Sequence, residues 1–289
     1  MTSIAATTTT RPPVEAHRHR GALTVYRWEL EKLTAQWRVR IAVLVCVVGP
    51  FAATVVLRSQ QQTPSDTLFG RWVHVSGSAV PLLILSFVSQ YAVPLLTCLV
   101  AGDIFASEDH NGTWKTILTR APGRAAVFGG KVLAAATYTV VVMLLLALAS
   151  TAAGLLIVGH QSLVGLSGNV ITAGQATDLT LLSWASSVAP ALGFTALGIL
   201  FSIATRSGPA GIIAPVVLGG LMEVYSLVGS VGVIRISLLS GAFDAWHPFF
   251  TAQPHYVPLI HAVIASVVYV VACLSAGYLL LRRRDFTQG

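Results

Sequence analysis

Residues 107–124 read SEDHNGTWKTILTRAPGR, and they separate two long apolar stretches, PLLILSFVSQYAVPLLTCLVAG (81–102) and VLAAATYTVVVMLLLALAS (132–150). Each charged residue at the centre of a bilayer costs about 2.5–3.5 kcal/mol, and the stretch from Asp103 to Arg124 holds six of them. The segment is therefore an excursion out of an apolar layer, and its flanks read as two membrane spans. Its internal order is legible. Two acids, Glu108 and Asp109, come first, and Asn111-Gly112 breaks the chain. TWKTILTR then predicts a short helix with Thr113 as its N-cap, stopped by Pro122 and Gly123. Acids before the helix and Lys115, Arg120 and Arg124 within and after it agree with the helix dipole. Trp114, Ile117 and Leu118 give that helix an apolar face.

Working outward, composition agrees with the local reading. The chain has 289 residues, 54% hydrophobic and 10% charged, whereas soluble domains carry about 25% charged residues. A helix needs about 20 apolar residues to cross the hydrocarbon core. Six stretches qualify, at 39–57, 80–105, 132–158, 179–205, 209–231 and 257–281. The expected fold is all-α: a polytopic membrane domain of six transmembrane helices over residues 21–289, after a disordered arm over 1–20. Pro81, Pro94, Pro190 and Pro215 fall inside these stretches, where neighbouring helices can satisfy the freed carbonyls.

Six spans put both termini on one side. Fifteen of the eighteen Lys and Arg residues lie on that side, so the positive-inside rule makes both termini and residues 107–124 cytoplasmic. The expected location is the cell (plasma) membrane, with the lipid bilayer as partner. The net charge of +7 belongs to this topology rather than to nucleic-acid binding. About forty residues precede the first span, too many for the n-region of a signal peptide. Cys46, Cys98 and Cys273 lie in apolar stretches without metal-ligand spacing and read as packing residues.

Residues 23–38, LTVYRWELEKLTAQWR, place Leu23, Tyr26, Leu30, Leu33 and Trp37 at helical spacing. An amphipathic helix with Trp and basic residues, directly before a span, is expected to lie in the membrane interface.

The segment E…GTxKxxLxxxPxR, followed by a Gly-Lys pair that opens the third of six spans, resembles the ABC-2 type permeases, the membrane subunits of ATP-binding cassette transporters. The matching positions are Glu108, Gly112, Thr113, Lys115, Leu118, Pro122, Arg124, Gly130 and Lys131. Trp114 departs from the aliphatic residue common there. The resemblance implies a coupling helix between spans 2 and 3 that engages a separate ATPase. Glu108, Gly112, Thr113, Trp114, Lys115, Leu118, Arg120, Pro122 and Arg124 would form the contacting segment. It also implies a second permease copy or a related permease, two nucleotide-binding subunits, and ATP and magnesium on those subunits. The expected activity is export, and the apolar spans favour a lipophilic or amphipathic substrate.

No cofactor is expected on this chain itself. A phosphate loop needs G-x-x-x-x-G-K-[ST], and the nearest approach, AAVFGGKV (125–132), lacks the first glycine and the hydroxyl. No catalytic or metal site is expected either. A rhomboid-like protease would need Ser167 of GLSG (165–168) to meet His261, but polar GNVITAGQATD follows that serine and keeps it outside the span. A self-sufficient channel or ion-coupled carrier predicts clustered intramembrane charge, and Glu223 is the one acid well inside a span. It lies ~24 Å into a core ~30 Å thick, a candidate cavity or outer-gate residue. Residues 232–256 carry Trp246, Phe249, Phe250 and Tyr256, which suit either an interfacial aromatic belt or, by the resemblance, short re-entrant helices capping the path.

Overall fold

The computed structural model describes residues 21–60, 62, 64, 66–114, 123–228 and 238–284. The expectations for residues 1–20, and for the helix TWKTILTR (113–120) beyond Trp114, fall outside these. The described residues form ten α-helices. They are α1 (Gly21–Ala35), α2 (Trp37–Ser59), α3 (Ala79–Gln90), α4 (Ala92–Ala101), α5 (Ala106–His110), α6 (Arg124–Ile157), α7 (Ala173–Ser186), α8 (Val188–Thr205), α9 (Gly208–Val228) and α10 (Val257–Arg283).

Among the described residues, five spans are long and apolar enough to cross a membrane: α2, α6, α7 with α8, α9, and α10. The sixth is α3 with α4, bent by 54° at Tyr91. An unbroken second span over 80–105 was the expectation, and its prolines explain the difference. Pro94 has no N–H for the carbonyl of Gln90, and its ring crowds that carbonyl. The helix ends at Gln90 and restarts at Ala92, which leaves Pro94 in the first turn, where a missing donor costs nothing. Pro190 does the same at the junction of α7 and α8, and Pro81 also lies in a first turn. Pro50 and Pro215 stay inside helices.

The α6 helix and the α7–α8 pair form the buried centre, while α2, α9 and α10 present most of their surface outward. Lipid tails are as apolar as leucine, so close packing of small residues holds membrane helices together. Such contacts recur here. A Cβ on Gly211 would lie 2.3 Å from the carbonyl oxygen of Gly102, one on Gly198 3.0 Å from Cβ of Ala101, and one on Gly219 2.9 Å from the Phe194 ring. These glycines, with Gly193 against Leu239, serve packing within the chain, whereas Gly220 meets nothing within 4 Å. Buried hydroxyls add polar links. Thr139 and Thr195 hydrogen-bond between α6 and α8 at 2.7 Å.

The face opposite Gly21 and Arg284 is closed by a cap. A two-stranded antiparallel hairpin, β1 (Leu163–Val164) and β2 (Val170–Ile171), pairs Leu163 with Ile171. Two 3-10 turns follow in the chain, Gly241–Asp244 and His247–Phe250, and the second is tied to the hairpin by a 2.8 Å hydrogen bond from the Leu166 N–H to the Phe250 carbonyl. Trp246 and Phe250 pack on Phe69, with ring centroids 6.0 and 5.2 Å away. Trp246, Phe249 and Phe250 are buried, which rules them out of an aromatic belt, and of the four only Tyr256 is exposed. The Ser167 hydroxyl accepts from the Ala252 N–H in this cap, while His261 is on α10 beside Asp244 and Ser226.

Candidate functional site

Toward the face that carries Gly21 and Arg284, a lysine is buried in the body of the protein. Lys131 sits two turns into α6 with none of its surface exposed. Its ammonium donates to Glu29 Oε1 of α1 at 2.8 Å, to Glu108 Oε1 of α5 at 3.0 Å, and to the Ile104 carbonyl at 2.8 Å. It also lies 5.7 Å from the Phe105 ring centroid. All three donor positions of an ammonium are thereby used. Lys32 of α1 reaches Glu108 Oε1 at 2.6 Å, and the Thr113 hydroxyl donates to the other oxygen of the same carboxylate. Two acids and two lysines thus balance, and breaking such a buried set leaves an uncompensated charge.

The neighbouring residue explains how α1 comes close enough. A Cβ on Gly130 would lie 2.8 Å from Cβ of Val25. The Gly-Lys pair serves a helix contact: the glycine admits α1 and the lysine holds it. Along α1 the buried stripe is Gly21, Val25, Glu29 and Leu33, at steps of four. The stripe expected from sequence divides differently. Leu33 is buried and Tyr26 and Leu30 are partly so, but Leu23 and Trp37 are exposed. Tyr26 also hydrogen-bonds Thr137 of α6 at 3.0 Å. The helix rests on α6 through an apolar stripe with an acid at its middle.

The segment beyond α4 is built with equal economy. Ser202 of α8 accepts the N–H groups of Phe105 and Ala106, at 3.3 and 3.0 Å, and so satisfies two donors at the start of α5. Gly112 ends α5 with φ +63°. The Thr113 N–H bonds the Glu108 carbonyl and the Gly112 N–H that of Asp109, at 3.1 and 3.4 Å, the two bonds of a Schellman C-cap. Asp103 pairs with Arg38 at the start of α2.

Five of the nine expected segment residues are among the described ones. Glu108 is turned inward, and Trp114 is 5% exposed, stacked at 6.4 Å on Phe105, which meets Phe128 at 5.7 Å. Gly112 is exposed with His110 and Asn111, and Thr113 is half-buried. Arg124 donates to the carbonyls of Arg282 and Arg284. Lys115, Leu118, Arg120 and Pro122 lie outside the described residues. Glu223 is elsewhere, half-buried on α9, where its carbonyl accepts from Ser226 at 2.8 Å.

The cluster fixes the protonation of Glu108. Burial alone would raise its pKa, but the Lys131 charge and hydrogen bonds from Lys32 and Thr113 outweigh it and bring the value down to about 2. A depressed carboxylate stabilises the fold above its free value and loses that contribution as pH falls through the folded one. Acid titration should therefore weaken the attachment of α5 between pH 4.5 and about 2. Comparing the thermal midpoint of the protein with that of Glu108→Gln across this window isolates the effect. The two curves should converge toward pH 2, and parallel curves would show that Glu108 is not held ionised by the cluster.

The family model described as ABC-2 family transporter protein matches residues 26–207, from α1 to just past α8. The chain belongs to this family. No curated protein matches it. ABC-2 permeases are membrane components of transporters rather than enzymes, and they work with an ATP-binding subunit. In this ABC-2 permease the matched region holds every member of the Lys131 cluster. Sequence reasoning missed Glu29 as a partner, although an acid four residues from both Val25 and Leu33 was the available signal.

Proposed function

We propose that this permease subunit exports a lipophilic or amphipathic substrate, driven by a separate ATPase that docks on the exposed turn His110–Gly112 and the chain continuing to Pro122. Both termini and this turn face the cytoplasm of a plasma-membrane protein, in keeping with the positive-inside distribution. ATP and magnesium are held by the partner. Two permease copies, or this chain and a related one, form the path, and closure of the ATPases switches access from one side to the other.

The observation that carries this reading is the rooting of the turn. A solvated loop needs no buried lysine, yet α5 is fixed through Glu108 to Lys131, and through it to α1 and α6. A force applied at Asn111 therefore reaches two helices at once. Glu108 and Trp114 act as the root, and the exposed residues of the turn act as the contact. An almost wholly apolar groove of about 510 Å³ between α2 and the broken α3–α4 span, lined by Cys46, Gly49, Phe87 and Leu96 among others, supports a lipophilic cargo. Glu223 lies one helical turn before Ser226, which lines a pocket of about 540 Å³ near Asp244 and His261; there it serves the outer gate.

Asn111→Trp tests the docking. Exposed substitutions usually change stability by about 0.5 kcal/mol or less, so the purified variant should match the parent in thermal midpoint. The ATPase that co-purifies with the tagged parent from its native membrane should be lost. Full retention of that subunit would contradict the assignment of the turn.

A further inference from the structure

Neighbouring acids in α5 point to different helices. Glu108 goes to Lys131, whereas Asp109 Oδ2 accepts from Arg284 Nη1 at 3.0 Å, with the two side chains 17% and 10% exposed. Arg284 is the C-cap of α10, the last span. The same end of α10 is held a second way, because Arg124 Nη1 donates to the carbonyls of Arg282 and Arg284 at 2.8 and 3.0 Å. Those carbonyls belong to the set that a helix end leaves without internal partners, and a cation there also suits the dipole. One turn back, Tyr278 meets Phe128 of α6 with centroids 5.3 Å apart. A Cβ on Gly277 would lie 3.3 Å from Ile203, so this end of α10 also sits close on α8.

The run Arg282–Arg284 reads from sequence as a simple cytoplasmic anchor. Its members differ in the fold: Arg282 and Arg283 are exposed, and Arg284 is half-buried on a carboxylate. We propose that Arg284 is a positioning residue of the coupling segment, so that the end of the last span forms a third arm of the coupling unit beside α1 and α6. This rests on the docking reading of the turn His110–Gly112. Motion of α5 is then delivered through Asp109 to α10, and from α10 to α8. Without the ion pair, α5 keeps its Glu108 root but loses the contact that fixes its rotation about that root.

The test needs no ATPase. The full chain, with Cys46, Cys98 and Cys273 changed to alanine, carries spin labels at Asn111 and at Leu144, which is exposed on α6. Distances are measured by double electron–electron resonance in phosphatidylcholine–phosphatidylglycerol nanodiscs. A narrow distribution is expected for the parent, broadened at least twofold by Arg284→Ala and by Asp109→Ala. Arg283→Ala should leave it unchanged, and the exchange Asp109→Arg with Arg284→Asp should restore it. An unchanged width in Arg284→Ala, equal broadening in Arg283→Ala, or a swap that fails to restore the width each overturns the role of Arg284. None of these outcomes bears on docking at Asn111, and loss of the docking reading would leave the distance result standing.

Discussion

Lys131→Met is expected to lower the stability of the protein in detergent by about 3–5 kcal/mol, the range for removing one partner of a buried ion pair. Methionine fills a similar volume, so the loss is electrostatic. Glu29 would face an apolar helix junction with no cation at 2.8 Å, and Glu108 would keep only Lys32 and Thr113. Both carboxylates are buried. The control is the double variant Lys131→Met with Glu29→Leu, which removes one buried charge of each sign. Replacing a buried pair by apolar residues is often neutral or stabilising, so the double variant should recover most of the loss. Thermal or denaturant unfolding followed by circular dichroism reads both. A single variant costing under about 1 kcal/mol would mean that the cluster does not hold these helices together.

Gly211→Ala gives the second large effect. The added Cβ would sit 2.3 Å from the Gly102 carbonyl oxygen, and backbone cannot swing aside as a flexible side chain can. Overpacking of this kind costs about 1–3 kcal/mol. Here it also prises α9 from the end of α4, immediately before Asp103 and α5. The same substitution at Gly220, nine residues along the same helix, meets nothing within 4 Å. There the higher helix propensity of alanine, about 1 kcal/mol over glycine in water, makes it neutral or stabilising. Opposite signs for one chemical change on one helix separate packing from propensity. Equal effects at the two sites would remove the contact with Gly102 as the explanation.

These contacts also mark where sequence reading succeeds and where it stops. Apolar runs near 20 residues and the six charges between Asp103 and Arg124 made the spans and the excursion visible, because desolvation cost depends on composition and not on partners. The break at Tyr91 was less visible. Pro94 announces a lost hydrogen bond, but whether a neighbour absorbs it or the helix restarts depends on what surrounds Gln90. The site itself was half legible. Glu108, Gly112 and Lys131 were singled out by the likeness of their spacing to a known pattern, and the fold brings Glu108 and Lys131 within 3.0 Å. Their partner Glu29 was not singled out, because helical spacing alone offers several stripes on α1. The choice among them is made by Gly130 across the junction. The outer aromatics illustrate the same limit. Trp246 and Phe250 suit a headgroup belt by residue type, and only the pairing with Phe69 puts them inside a cap.

The central claim is that the turn His110–Gly112 is where an ATPase drives this permease. Site-specific photocrosslinking tests it most directly. Benzoylphenylalanine placed at His110, the exposed residue of the turn that already carries a ring, in the full chain expressed in its native membrane and irradiated, should give an adduct whose partner carries a phosphate-binding loop when sequenced by mass spectrometry. The same probe at Gly168, in the hairpin on the opposite face, should give none. An ATPase adduct from Gly168, or none from His110 when the transporter complex is intact, would contradict the account.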